Sequence, residues 1–162
     1  MEFNFLAILV AAVVPMVLGF IWYNPKLFGT VWMRESGMTE EKMKGGNMAV
    51  IFGVSFLLAL VLAFFTQFLV IHQTGVVSLI GGDPTAEGVS PTYQAFMDVY
   101  GGDFRTFKHG ALHGFLAGVF FVLPVMGTNG LFERKSGKHI FINVGYWTLT
   151  LTIMGAIVCG WR

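Results

Sequence analysis

Four long apolar runs separated by short polar segments organise this chain. Phe3–Tyr23, Met48–Ile71, Gly110–Met126 and Ile140–Trp161 contain no Asp, Glu, Lys or Arg. A helix needs about 20 residues to cross about 30 Å of hydrocarbon. Three of the runs meet that length. The third meets it once Phe107 and Gly127 extend it, with Lys108 snorkelling from the helix end. The pattern predicts an all-α, four-span transmembrane helix bundle. It forms a single integral membrane domain over residues 1–162, with spans near 3–23, 48–71, 107–127 and 140–161.

Between the spans the pattern changes. Pro15 removes one backbone hydrogen bond from the first span and is expected to bend it. That span leaves through Trp22 and Tyr23, aromatics suited to the headgroup level, into the turn signal Asn24-Pro25. Thr39 then caps a short helix with Glu40 and Glu41 in its first turn and Lys42 and Lys44 later, the order that a helix dipole favours. This connection reads as an interfacial or re-entrant segment anchored by Trp32. After the second span, Gly81-Gly82-Asp83-Pro84 is loop, and Ser90-Pro91 is a cap followed by proline at the first helical position. From there Tyr93, Phe96, Met97, Tyr100, Phe104 and Phe107 recur at steps of three or four, broken only by Gly101-Gly102. Such a stripe either lies on the outer leaflet or folds over the bundle mouth as a lid.

Two spans carry small residues at four-residue spacing. Ser55, Ala59 and Ala63 form a stripe on the second; Gly110, Gly114 and Gly118 form one on the third. In lipid, such seams let backbones meet and hold helices together by close packing. They are expected to pack helices within the chain or between chains. The threonines of the last span, Thr148, Thr150 and Thr152, can bond their own i−4 carbonyls and so are weak evidence of a polar pathway.

Composition agrees with a membrane protein. Charged residues are 12% of the chain, about half the share of a soluble domain, and mean hydropathy is +0.70. Four spans leave no room for a soluble catalytic domain, and a net charge of +1 gives no reason to invoke nucleic acid. The first stretch is expected to stay uncleaved, since Met1-Glu2 brings no positive charge and no small-x-small site follows. Lys26, Arg34, Lys42 and Lys44 lie in the first connection, and Arg134, Lys135 and Lys138 in the third. The other side has only Arg105, Lys108 and Arg162. The positive-inside rule therefore predicts cytoplasmic first and third connections, with both termini outside. The single cysteine, Cys159, excludes an intrachain disulfide.

The candidate chemistry is histidine. His109 and His113 are four apart, so both rings leave one face of the third span, beside the glycine seam. His72 ends the second span on the same side of the membrane, whereas His139 belongs to the other. Histidines so placed can hydrogen-bond across helices, hold a ligand or metal, or move a proton. Asp98 or Asp103 would be the added ligands at that mouth. No acidic or thiolate partner stands at fixed spacing from the pair, so the structural role is favoured, and no metal and no cofactor are expected. No charged residue lies deep in a span, which argues against an ion-coupled pump. A Walker loop, a G-x-S-x-G elbow and an H-E-x-x-H helix are all missing, so no standard enzyme reading has a footing.

The string Gly19-Phe20-Ile21-Trp22-Tyr23-Asn24-Pro25-Lys26-Leu27-Phe28-Gly29-Thr30-Val31-Trp32, followed by Gly37-Met38-Thr39-Glu40-Glu41, resembles the opening of the bacterial family classed as domain of unknown function 1761. His109-Gly110-Ala111-Leu112-His113-Gly114 and Asn143-Val144-Gly145-Tyr146 are similar to that family too. The resemblance implies a small four-span protein of the bacterial inner membrane. It singles out Trp22, Tyr23, Pro25, Phe28, Gly29 and Trp32 as a unit and supplies no activity. Two functional readings stand. The leading one is a non-enzymatic module of the lipid bilayer that assembles as a homo-oligomer or with a larger complex through its small-residue seams. The other is binding or transport of a small, mostly apolar ligand near the outer mouth, with His72, His109 and His113 as the ligand-binding residues. A membrane enzyme or haem carrier comes third.

Overall fold

A computed structural model describes residues 4–83 and 90–162. Phe3, the expected first residue of the first span, and Pro84 lie outside the described residues. The elements in order are α1 (Phe5–Trp22), α2 (Gly29–Ser36), α3 (Glu40–Lys44), α4 (Met48–Val70), α5 (Gln73–Leu79), α6 (Pro91–Tyr100), α7 (Phe107–Ala117), a π-helical turn (Gly118–Val122), α8 (Leu123–Phe132) and α9 (Gly137–Gly160). No strand occurs among the described residues. Among them, α1, α4, the unbroken α7–α8 helix and α9 are long and apolar enough to span a membrane. Their outward faces carry exposed Phe20, Leu57, Phe120, Phe121 and Phe141. An apolar exterior of this extent needs a bilayer to cover it. The protein is a multi-pass membrane protein.

The caps follow the local chemistry of the chain. Asn4, Thr39, Asn47, Ser90, Thr106 and Ser136 each accept a backbone N–H at the start of a helix. Asn and Ser/Thr oxygens do this because the first N–H groups of a helix have no partner within it.

The last helix, α9, is the centre of the bundle and packs against α1, α2, α4 and α7. The glycine seam of α7 meets it backbone to backbone. A Cβ on Gly110 would collide with the Gly155 carbonyl, one on Gly114 with the Leu151 carbonyl, and one on Gly118 with Thr148. Contact positions rise on α7 as they fall on α9, so the two helices run antiparallel. The alanine seam is also used internally. Ala59 and Ala63 are buried in one cluster with Ile8, Ala11 and Ala12 of α1, and Ser55 is half-buried above them.

Two prolines are absorbed without ending a helix. Pro15 is buried in α1, and its carbonyl accepts the Tyr146 hydroxyl at 2.8 Å. Pro124 is the second residue after the π turn. Its ring would press on the Phe120 carbonyl in a regular helix, and the wider π turn relieves that contact. The third span therefore continues to Phe132, five residues beyond the expected Gly127. Gly127 and Gly130 do not break it, because Gly130 packs so closely on Ile140 of α9 that a Cβ would overlap that side chain. Tertiary contact here outweighs weak helix propensity. The hydroxyls of Thr150 and Thr152 bond the Tyr146 and Thr148 carbonyls, each one turn back, as their spacing implies.

Candidate functional site

The two ends of the bundle are built differently. At the end with α2 and α3, the aromatic motif folds a turn back onto α9. Trp22 Nε1 donates to the Ile142 carbonyl at 3.1 Å, and the Tyr23 hydroxyl donates to Asn143 Oδ1 at 2.8 Å. The Trp22 ring lies on Phe28, and that of Tyr23 on Trp32 and Tyr146. The Pro25 carbonyl accepts the Thr30 hydroxyl. Gly29 donates to the Asn24 carbonyl, and a Cβ there would run into the Tyr23 carbonyl. Within this chain these contacts hold the turn that carries Trp22, Tyr23, Pro25, Phe28, Gly29 and Trp32 against itself and α9. His139 belongs to the same end, its Nε2 3.0 Å from Asn143 Nδ2.

At the opposite end three histidines meet. His72 stands between α4 and α5, two residues past the end of α4. His109 and His113 occupy the first two turns of α7, held in place by the Thr106 cap and by the glycine seam below. His72 Nε2 lies 3.0 Å from His109 Nε2 and 3.3 Å from His113 Nε2. The ring of Phe104 stacks on His72 and tilts against His109. Phe104 itself has φ of 60°, a left-handed conformation that is costly for a bulky residue and persists only where surroundings impose it. Its carbonyl accepts from the Thr106 N–H and the Cys159 thiol, Arg105 Nε donates to the Cys159 carbonyl at 3.1 Å, and Arg162 donates to the Gly102 and Arg105 carbonyls. Burial lowers the Arg105 pKa. Together these bonds strap the segment before α7 onto the end of α9.

Beside His72 is a cavity of about 250 Å³, lined also by Gln73, Val76, Phe96, Tyr100, Asp103 and Phe104. Its aromatic wall comes from the amphipathic stripe of α6, where Tyr93 is buried while Phe96 and Tyr100 stay partly exposed. Gln73 is only 5% exposed, and its Nε2 donates to the Tyr100 and Asp103 carbonyls, both at 2.9 Å. Only an amide nitrogen has two protons to give, so this pair of bonds settles which side-chain atom is oxygen. Gln73 Oε1 is buried and has no hydrogen-bond partner among the described residues. A larger groove along Val10, Val13 and Val17 is lined by aliphatic side chains and offers a ligand no polar group.

The chain belongs to the DUF1761 family. The match to that family, described as protein of unknown function, covers residues 6–159. No curated protein and no solved structure matches the chain. For this DUF1761 protein the chemistry must therefore be read from the site. The structure brings His72, His109 and His113 together, as their shared membrane side suggested. It keeps Asp98 and Asp103 out of that cluster: the three histidine nitrogens lie within 4.8 Å of one another with no carboxylate among them, and the Asp103 backbone is engaged by Gln73. Gln73 escaped sequence reasoning altogether. It follows the span without periodicity, and its partners lie 27 and 30 residues away.

Proposed function

We propose that this DUF1761 protein is a membrane-resident binding protein, which takes a small, mostly apolar ligand carrying one hydrogen-bond donor in the cavity beside His72. The observation that carries the reading is Gln73 Oε1, a buried acceptor without a partner among the described residues, on a residue that lines an aromatic cavity. Buried polar atoms in folded proteins are nearly always paired, and an orphan is expensive enough to mark a site. Ligand sites in general combine apolar walls with a few placed polar groups. The cavity of about 250 Å³ has room for one or two fused rings, with exposed Phe96, Tyr100 and Phe104 at its open side. The assembly reading has lost its physical carrier, because the glycine and alanine seams that would join chains are spent between α7 and α9 and between α4 and α1.

The test uses 1-naphthol, a two-ring molecule with one hydroxyl, against naphthalene, which has none. Their fluorescence is titrated with protein in nanodiscs, with empty nanodiscs as the partition control. Naphthol should bind saturably and more tightly than naphthalene by roughly five-fold, the worth of one neutral hydrogen bond of about 1 kcal/mol. Gln73→Leu should erase that preference while retaining the apolar component. Equal, non-saturable partition of both molecules would overturn the reading.

A further inference from the structure

The geometry points to a transition-metal site formed by the Nε2 atoms of His72, His109 and His113, with a fourth coordination position left open. This goes beyond the organic-ligand reading and does not depend on it, although His72 borders both sites.

Proton bookkeeping is the first argument. A ring nitrogen carries either a proton or a lone pair, never both. His72 Nε2 has two other Nε2 atoms within hydrogen-bond distance. If it carries a proton, that proton points along one in-plane direction and serves one neighbour. If it is bare, its single lone pair must serve two donors. Neither arrangement satisfies three convergent nitrogens, whereas a cation accepts all three lone pairs at once.

Distance is the second. Two nitrogens each about 2.0–2.1 Å from one zinc ion stand about 2.9 Å apart at a right angle and about 3.4 Å apart at the tetrahedral angle. The separations from His72, 3.0 and 3.3 Å, fall in that interval. One ring nitrogen from each of the three residues, the pair on α7 included, lies within 4.8 Å of the others, close enough to gather on one ion. A donor set of three neutral imidazoles suits zinc, copper, nickel or iron rather than calcium or magnesium, which prefer oxygen. Three protein ligands leave one tetrahedral position for water or an exchangeable group.

Position is the third. His72 is exposed, so an ion can enter from the aqueous side, while His109 and His113 are half-buried. The rings of Phe104 and the histidines pack on one another and keep the three side chains gathered. The ligands come from the first turns of α7 and from the junction between α4 and α5, so a bound ion would tie these elements together at the mouth.

The experiment strips untagged protein in nanodiscs with a chelator and titrates it with Co²⁺ and then Zn²⁺. One Co²⁺ per chain should bind with the intense visible absorption of a tetrahedral site, and Zn²⁺ should bleach it. His72→Gln, His109→Gln and His113→Gln should each weaken binding by roughly ten-fold or more, since loss of outer-shell partners alone costs 10–100-fold. His139→Gln, at the other end, should bind as wild type. Zn²⁺ should raise the apparent Tm of wild type and of His139→Gln and leave the three variants unmoved, which separates a lost ligand from a lost fold. Gln73→Leu should keep the cobalt spectrum even as it loses its naphthol preference, so the two proposals fail separately. No saturable Co²⁺ binding by wild type, or equal binding after all three histidines are replaced, would overturn the site.

Discussion

The two ends of this bundle use aromatic and polar side chains for opposite purposes. At the motif end, Trp22, Tyr23, Asn143 and Gly29 leave few groups to spare: the indole N–H, the phenol and the turn carbonyl all have partners within the protein. At the mouth, three histidine nitrogens face one another and the Gln73 oxygen faces no partner among the described residues. At the motif end His139 Nδ1 is also buried without a partner among the described residues, so the contrast rests on the convergence of three histidines and the aromatic cavity at the mouth. Single positions differ too: Gly29 in the motif turn sits where no Cβ fits, while Gly75 in α5 has open space around it among the described residues.

The largest effect that tests this contrast is expected at Gly29. Gly29→Ala places a Cβ against the Tyr23 carbonyl, a backbone atom that can yield only by unseating the turn. Forced overpacking of this kind typically costs about 1–3 kcal/mol, and this case belongs at the upper end. Thermal unfolding in detergent should show the apparent Tm lowered by about 5–10 °C for a chain of this size. The metal and naphthol sites, at the far end, should survive at temperatures where the variant is folded. An unchanged Tm would mean that the motif is a loose interfacial belt.

Much of this contrast was legible in the sequence, and the rest has physical reasons for being hidden. Charge-free runs expose the spans because a bilayer core excludes Asp, Glu, Lys and Arg from most positions. The four-residue spacings of His109/His113 and of Gly110/Gly114/Gly118 survive into the structure because helix geometry alone fixes which positions share a face. What meets those faces is a tertiary matter. Nothing in the spacing of the glycines says that Gly155 and Thr148 lie opposite, and so the choice between internal packing and oligomer stayed open. The extension of α8 to Phe132 was hidden for the same reason, since Ile140 lies across the turn. Gln73 was least visible, because its role depends on two carbonyls from the segment around α6.

A middle-sized effect is expected at Ser136, which ties α2 to α9. Its Oγ accepts the His139 N–H as an N-cap and donates to Glu35 at 2.6 Å. Ser136→Ala should cost about 1 kcal/mol through the cap. The Ser136 hydroxyl, and then Arg34, hold the Glu35 carboxyl below its ordinary value. A carboxylate with a depressed folded-state pKa contributes stability above its unfolded value, near about 4.3, and loses it as pH falls through the folded value. The gap in Tm between wild type and Ser136→Ala should therefore narrow below about pH 4 towards that of the cap alone. A gap constant from pH 7 to pH 3 would show that Glu35 takes no part in the link.

The smallest effect is expected at the mouth, at Gly75, and its sign is the informative part. Gly75 lies inside α5 with helical backbone, its N–H donates to the His72 carbonyl, and none of the described residues would stand within 4 Å of an added Cβ. Alanine at such a position removes freedom from the unfolded chain without straining the folded one, a gain of about 0.4–1 kcal/mol. Gly75→Ala should leave the apparent Tm unchanged or raise it by about 1–4 °C. Binding of Co²⁺ and of naphthol should be unaltered, since the substitution touches neither the three Nε2 atoms nor Gln73 Oε1. A fall in Tm comparable to that of Gly29→Ala would mean that α5 is packed as tightly as the motif turn. The unpaired groups at the mouth would then belong to a second packed turn, and the distinction between the two ends would collapse.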